Sequence, residues 1–183
     1  MSSPFEDMEA LANVKRITFA NKPLNPEVVK EVEVKNDTSV ASTAIASYRT
    51  TMRIFLYSTG DDTGPSECEI AGYIAFYIPG SPNAGKDFPK TDFPQKHNWA
   101  TENNGLGRQL LEYPYSSVGL TSCRAFLFED DTIGSDIIAN IYIDFHDPRN
   151  LRFADGRVWQ WKCWNTEDKR YVAYVQLQVV QTS

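Results

Sequence analysis

Three stretches of this chain group side chains that could do chemistry. Asp144-Phe145-His146-Asp147 sets two carboxylates and an imidazole almost side by side. Alternation along a strand would turn Asp144 and His146 to one side, where they could share a metal ion. Two side chains are fewer than a closed metal site uses, and solvated polar residues at a strand exit are the plainer reading. Gly80-Ser81-Pro82-Asn83-Ala84-Gly85-Lys86-Asp87 nearly spells a phosphate-binding loop. That chemistry needs a hydroxyl after the lysine and a helix whose amide end meets the phosphate. Here Asp87 would repel phosphate, and Pro89 and Pro94 forbid the helix. Glu129-Asp130-Asp131-Thr132-Ile133-Gly134-Ser135-Asp136 is the third stretch, dense in the oxygen donors that calcium requires. The only histidines are His97 and His146, and no G-x-S-x-G elbow is present. The chain therefore reads as non-enzymatic, with no catalytic residue and no resident cofactor.

Charge narrows the choice of partners. The formal net charge is −6, which excludes a protein coated in basic side chains for nucleic acid. One segment runs against that balance: Arg149, Arg152, Arg157, Lys162, Lys169 and Arg170 outnumber Asp155, Glu167 and Asp168. Such a patch could meet a phosphate backbone or an acidic neighbour, and it equally suits an ordinary solvated face. Cys68, Cys123 and Cys163 are widely spaced and odd in number, so buried thiols are expected rather than a disulfide framework or zinc site. The sequence holds neither the basic start and apolar run of a secretory signal nor an apolar run long enough for a transmembrane segment. An intracellular, reducing location is the expectation.

The elements that must position these groups are strands. From Asp136 to Phe145, Ile137, Ala139, Ile141, Ile143 and Phe145 alternate with Ile138, Asn140, Tyr142 and Asp144, a period of two that only a pleated strand sorts onto two faces. Similar stretches at 50–58, 67–78, 118–128, 158–164 and 171–180, with weaker ones at 14–20, 28–34 and 106–111, predict an all-β antiparallel sandwich of about eight strands, jelly-roll-like in layout. Residues 79–105 read as a long polar loop, in which Asp87-Phe88-Pro89-Lys90 recurs as Asp92-Phe93-Pro94-Gln95-Lys96. Ser3, Pro4 and Glu6 form a helix start, after which Phe5, Met8, Leu11 and Ala12 share one face. The division expected is an N-terminal arm over 1–49, with a short helix and one or two strands, and a β-sandwich core over 50–183. Together they make one structural domain.

Two resemblances follow from these residues. The stretch 126–145 resembles the third calcium loop and following strand of synaptotagmin-type phospholipid-binding domains. There two Asp residues six positions apart precede two apolar residues and usually a glycine. Asp130, Asp136, Ile137 and Ile138 match; the family's first Asp falls on Phe128 and the glycine on Ala139. No Asp-Pro-Tyr first loop is present, so Asp61 and Asp62 would have to substitute. This resemblance implies Asp130 and Asp136 as metal ligands, calcium as the ion and a phospholipid surface as the partner. The strand count and capped arm resemble the single-domain coat proteins of small icosahedral plant-type viruses. That likeness implies a viral structural protein: a capsid protein that self-assembles as a homo-oligomer into a virion. Its assembly or partner contacts would be Phe5, Met8, Leu11, Phe88 and Phe93. The family's basic RNA arm is missing, which leaves Arg149, Arg152, Arg157 and Lys162 for contact with nucleic acid. The coat protein is the first expectation and the calcium-dependent phospholipid module the alternative. A glycan-binding sandwich is a third. Tyr142 beside Ile141 and Ile143, and Phe55 and Tyr57 beside Ile54 and Leu56, also predict that part of the outer surface is covered.

Overall fold

The computed structural model describes residues 27–32, 46–58, 68–78, 83–93, 98–131, 134–164 and 171–183, with the backbone alone at 27–32, 68, 130, 131, 134 and 135. These residues form an antiparallel β-sandwich. Its five-stranded sheet runs β1 (Glu27–Val32), β8 (Val158–Trp164), β9 (Val172–Gln181), β2 (Ser47–Tyr57) and β5 (Arg108–Val118), in that spatial order. The four-stranded sheet runs β4 (Ala84–Phe93), β3 (Cys68–Tyr77), β6 (Ser122–Asp131) and β7 (Gly134–Ile143).

Alternation builds the core. Met52, Ile54 and Leu56 of β2 and Val175, Leu177 and Val179 of β9 meet Ile70, Ile74 and Phe76 of β3 and Leu127 of β6, all fully buried. Each such side chain contributes roughly 1.5–3 kcal/mol by leaving water. Phe76 also stacks on Tyr115 at 5.2 Å, tying β3 to β5 across the layer. Cys123 and Cys163 are free thiols within this core, and burial pushes Cys163 up to about 12.

The structure departs from the sequence expectations in three places. Residues 79–105 are not one loop, because 84–93 form β4 and Trp99 anchors the connection that follows. The predicted strand 118–128 is split at Gly119, with β5 before it and β6 after it. Both β4 and β5 contain prolines, Pro89 and Pro114, and both are edge strands. Proline cannot donate to a ladder, so it is tolerated where one side of the strand has no neighbour. In β7 a bulge interrupts the alternation: Leu127 pairs with Ala139 and Phe128 with Ile137, so Ile138 is the extra residue. Ile137 therefore lies on the outer face with Phe128, while Ile138 joins the core. The predicted helix at 3–12 and strand at 14–20 lie outside the described residues, as do Phe5, Met8 and Leu11.

Strand directions decide which connections share an end. Every ladder is antiparallel. The connections β2–β3, β4–β5, β6–β7 and β8–β9 consequently join strands at one end of the sandwich. The connections β3–β4, β5–β6 and β7–β8 join them at the other.

Two substitutions test this packing. A Cβ on Gly107, at φ +92, would lie 2.1 Å from the Leu56 carbonyl oxygen, so Gly107→Ala should cost more than about 2 kcal/mol. Thr50 Oγ1 is buried with no hydrogen-bond partner, so Thr50→Val should stabilise by about 1 kcal/mol. Urea unfolding of both variants measures the pair.

Candidate functional site

The hairpin β6–β7 carries the acidic stretch to one end of the sandwich. Its register sets Asp131 opposite Gly134, Asp130 opposite Ser135 and Glu129 opposite Asp136. Directly opposed residues share a face, with Cβ atoms about 4.5–5.5 Å apart, and like charges so placed repel. Glu129 follows Cys123, Ala125 and Leu127 in the alternation toward the core and is only 4% exposed. Asp136 is half-buried. The pair therefore stands at the mouth of the inter-sheet layer.

The strands that flank two further carboxylate segments end on the same side. The segment 59–67, with Asp61, Asp62 and Glu67, joins β2 to β3, and β3 pairs directly with β6 through Ile70 and Glu129. The segment 165–170 holds Glu167 and Asp168 and joins β8 to β9. Asp61, Asp62, Glu67, Glu167 and Asp168 lie outside the described residues. On the outer side Glu69 pairs in register with Asp92, and Lys90 forms an ion pair with Glu69. Among the described residues no group of three or more His, Cys, Asp and Glu side chains converges as a metal site.

The β4–β5 connection closes this end. The Trp99 backbone N–H donates to the Ser58 carbonyl at 3.0 Å, and its ring packs edge-on to Phe93 at 4.9 Å. Arg108 lies over the Trp99 ring at 4.7 Å and pairs with Glu102 at 3.1 Å. Phe88 stacks on Phe93 at 6.3 Å, and Phe93 is buried. These rings fasten β4 to its own core. Trp99 was not singled out in the sequence, because it sits in the segment read as polar loop.

The opposite end holds the arginines. Asp147 caps the short 3₁₀ helix Pro148–Phe153, accepting from the Arg149 backbone N–H at 3.0 Å and pairing with its guanidinium at 2.5 Å. Arg157 pairs with Asp155 at 3.4 Å, and Arg152 lies over the Phe153 ring at 4.7 Å. Lys162 is on β8 near the acidic end, roughly 16 Å along the strand from Arg157, with its amine 5.9 Å from the Trp164 ring. The four basic residues therefore do not form one patch.

Asp144 and His146 are brought together, but as a turn brace. Asp144 Oδ1 accepts from Ser122 Oγ at 2.8 Å and from the His146 backbone N–H at 3.0 Å, and His146 Nδ1 lies 2.9 Å from the same oxygen. Hydrogen bonds from His146 and Ser122 hold the Asp144 carboxyl below the ordinary carboxylate range.

No protein-family model matches the chain, and no curated protein sequence matches it. Among solved structures, it is similar to human GIVD cytosolic phospholipase A2 in complex with methyl gamma-linolenyl fluorophosphonate. The TM-score is 0.43 and the identity 10%, covering 75% of this chain and 18% of that one. It is also similar to the structure described for CC2D1B, at TM-score 0.40 and 6% identity, covering 97% of this chain and 78% of that one. A structure described as a C2 domain gives TM-score 0.34 and 13% identity, covering 73% of this chain and 97% of that one. The chain thus spans less than a fifth of the phospholipase's length.

The arginine end makes a pH prediction. Hydrogen bonds from Arg149 lower Asp147 to about 2. A lowered carboxyl stabilises the fold above its unfolded pKa, and that contribution is lost as pH falls through the folded value. Carbon-detected NMR titration should find the Asp147 midpoint near 2, and Arg149→Ala should return it to the usual carboxylate range.

Proposed function

We propose that this protein is a non-enzymatic, calcium-dependent module that docks its acidic end on anionic phospholipid surfaces inside the cell. The observation that carries the reading is the threading. The antiparallel hairpin β6–β7 carries the 129–136 carboxylates to the end of the sandwich where β2 stops and β3 starts, and the register sets Glu129 directly against Asp136.

The donor set fits the ion. Calcium takes carboxylate and carbonyl oxygens from flexible loops, and its bound charge relieves carboxylates that would otherwise repel. Asp130 and Asp136 would hold it, with Asp61 and Asp62 contributing from the neighbouring connection. When bound, calcium supplies positive charge at an end that otherwise repels anionic headgroups. The chain's net charge of −6 makes that neutralisation a condition of approach. The local resemblance of 126–145 to synaptotagmin-type loops agrees with this reading.

A self-assembling viral coat protein is the second reading, favoured by the strand count. The two differ in what they predict. On the lead reading the protein sediments with phosphatidylserine-containing vesicles only when calcium is present. Asp130→Asn combined with Asp136→Asn abolishes that sedimentation while leaving circular dichroism unchanged. Sedimentation that ignores calcium, or none at all, would overturn the membrane reading. Particles seen by light scattering at high concentration would instead support the coat protein.

A further inference from the structure

The outer face of the five-stranded sheet carries a separate group of aromatic and polar side chains. The ladders set them in rows across β8, β9 and β2: Trp164–Val172–Tyr57, then Lys162–Tyr174–Phe55, then Gln160–Gln176–Arg53. These rows alternate away from the core, because Trp161, Cys163, Ala173, Val175, Ile54 and Leu56 point into it. Phe55 is 4% exposed and forms the floor, while Trp164, Tyr57 and Tyr174 are half-buried around it. Tyr57 and Tyr174 meet edge-on at 6.5 Å, so neither ring lies flat over the other.

Gln160 stands in the same field and is only 3% exposed. Its Oε1 accepts from Gln176 Nε2 at 2.8 Å, which leaves Gln160 Nε2 and Gln176 Oε1 without a partner among the described residues. A buried amide donor ordinarily has an acceptor. Unlike Thr50 Oγ1, which is sealed inside the sandwich, Gln160 Nε2 is open enough for an acceptor to reach it.

We propose that this face binds a neutral oligosaccharide, with sugar rings stacked on Trp164, Tyr174 and Tyr57 and sugar hydroxyls meeting the Gln160–Gln176 amides. Three features select that chemistry. A pyranose has an apolar C–H face for the rings and hydroxyls that both donate and accept, which matches one unpartnered donor beside one unpartnered acceptor. A proline-rich peptide, the other usual guest of aromatic faces, supplies acceptors and would leave Gln176 Oε1 unused. Charge argues against a phosphate: Arg53 is paired with Glu112 at 3.0 Å, and Lys162 alone lacks a carboxylate partner among the described residues of this face. A single amine makes a poor clamp for an anion. The field is roughly 10 Å across the three strands and roughly 13 Å along them, which accommodates a short run of linked sugar rings. Calcium plays no part in it.

The test is isothermal titration calorimetry of the full chain with cellohexaose, maltohexaose and mannohexaose, run in EDTA to keep the result apart from the calcium reading. Binding of at least one of these sugars is expected. Trp164→Ala and Tyr57→Ala should each weaken it about tenfold. Gln160→Leu, close in shape but without the amide, should weaken it severalfold at unchanged circular dichroism. Tyr142→Ala, on the other sheet, should leave it unchanged. No binding of any of the three sugars would overturn the proposal. So would binding that survives both Trp164→Ala and Gln160→Leu, or binding of decaproline in place of the sugars.

Discussion

The layer between the two sheets is the constraint on which the rest of the molecule depends. Met52, Ile54, Leu56, Ile74, Phe76, Leu127 and Leu177 leave water only if each strand holds its register, since a slip of one residue turns every inward side chain outward. Once that register is held, the strand directions and the position of each connection are settled. The β6–β7 hairpin turns at one end and the arginine turn forms at the other for this reason. No attraction between the loops themselves is needed.

The two ends treat charge differently. At the arginine end, Asp144, Asp147 and Asp155 each accept hydrogen bonds from groups close in sequence or across one ladder. Those carboxylates serve the turn, capping it and aligning its backbone. At the acidic end, Glu129 and Asp136 are opposed by the ladder itself, and the bulge at Ile138 keeps that opposition in place. Without the extra residue, the alternation would pair different positions at the hairpin's tip. A device that re-aims side chains beside a cluster of ionisable groups is where β-bulges recur.

Edge strands explain where sequence patterning failed. β4 and β5 contain prolines, and β4 also contains Gly85, Lys86, Asp87 and Lys90, so neither shows the apolar alternation of β2, β6 or β9. An edge strand is half solvated and has one neighbour, which relaxes both the hydrophobic pattern and the need for every N–H. Trp99 was hidden for the same reason. Its burial comes from the β4–β5 connection folding back on Ser58 and Arg108, contacts that no local pattern encodes.

Local alternation was enough to determine the class of the fold, its inward-facing residues in the central strands and the buried state of Cys123 and Cys163. It also marked 129–136 as a carboxylate segment; of the outward aromatics it expected to be covered, Phe55 is buried but Tyr142 is exposed. Only the tertiary structure decided what lies near what. It separated Lys162 from Arg149, Arg152 and Arg157, turned Asp144 and His146 into a turn brace, moved Ile137 to the outer face and set Glu129 against Asp136. These outcomes depend on ladder pairing between strands distant in the chain, and a period of two along one strand carries no information about its partner.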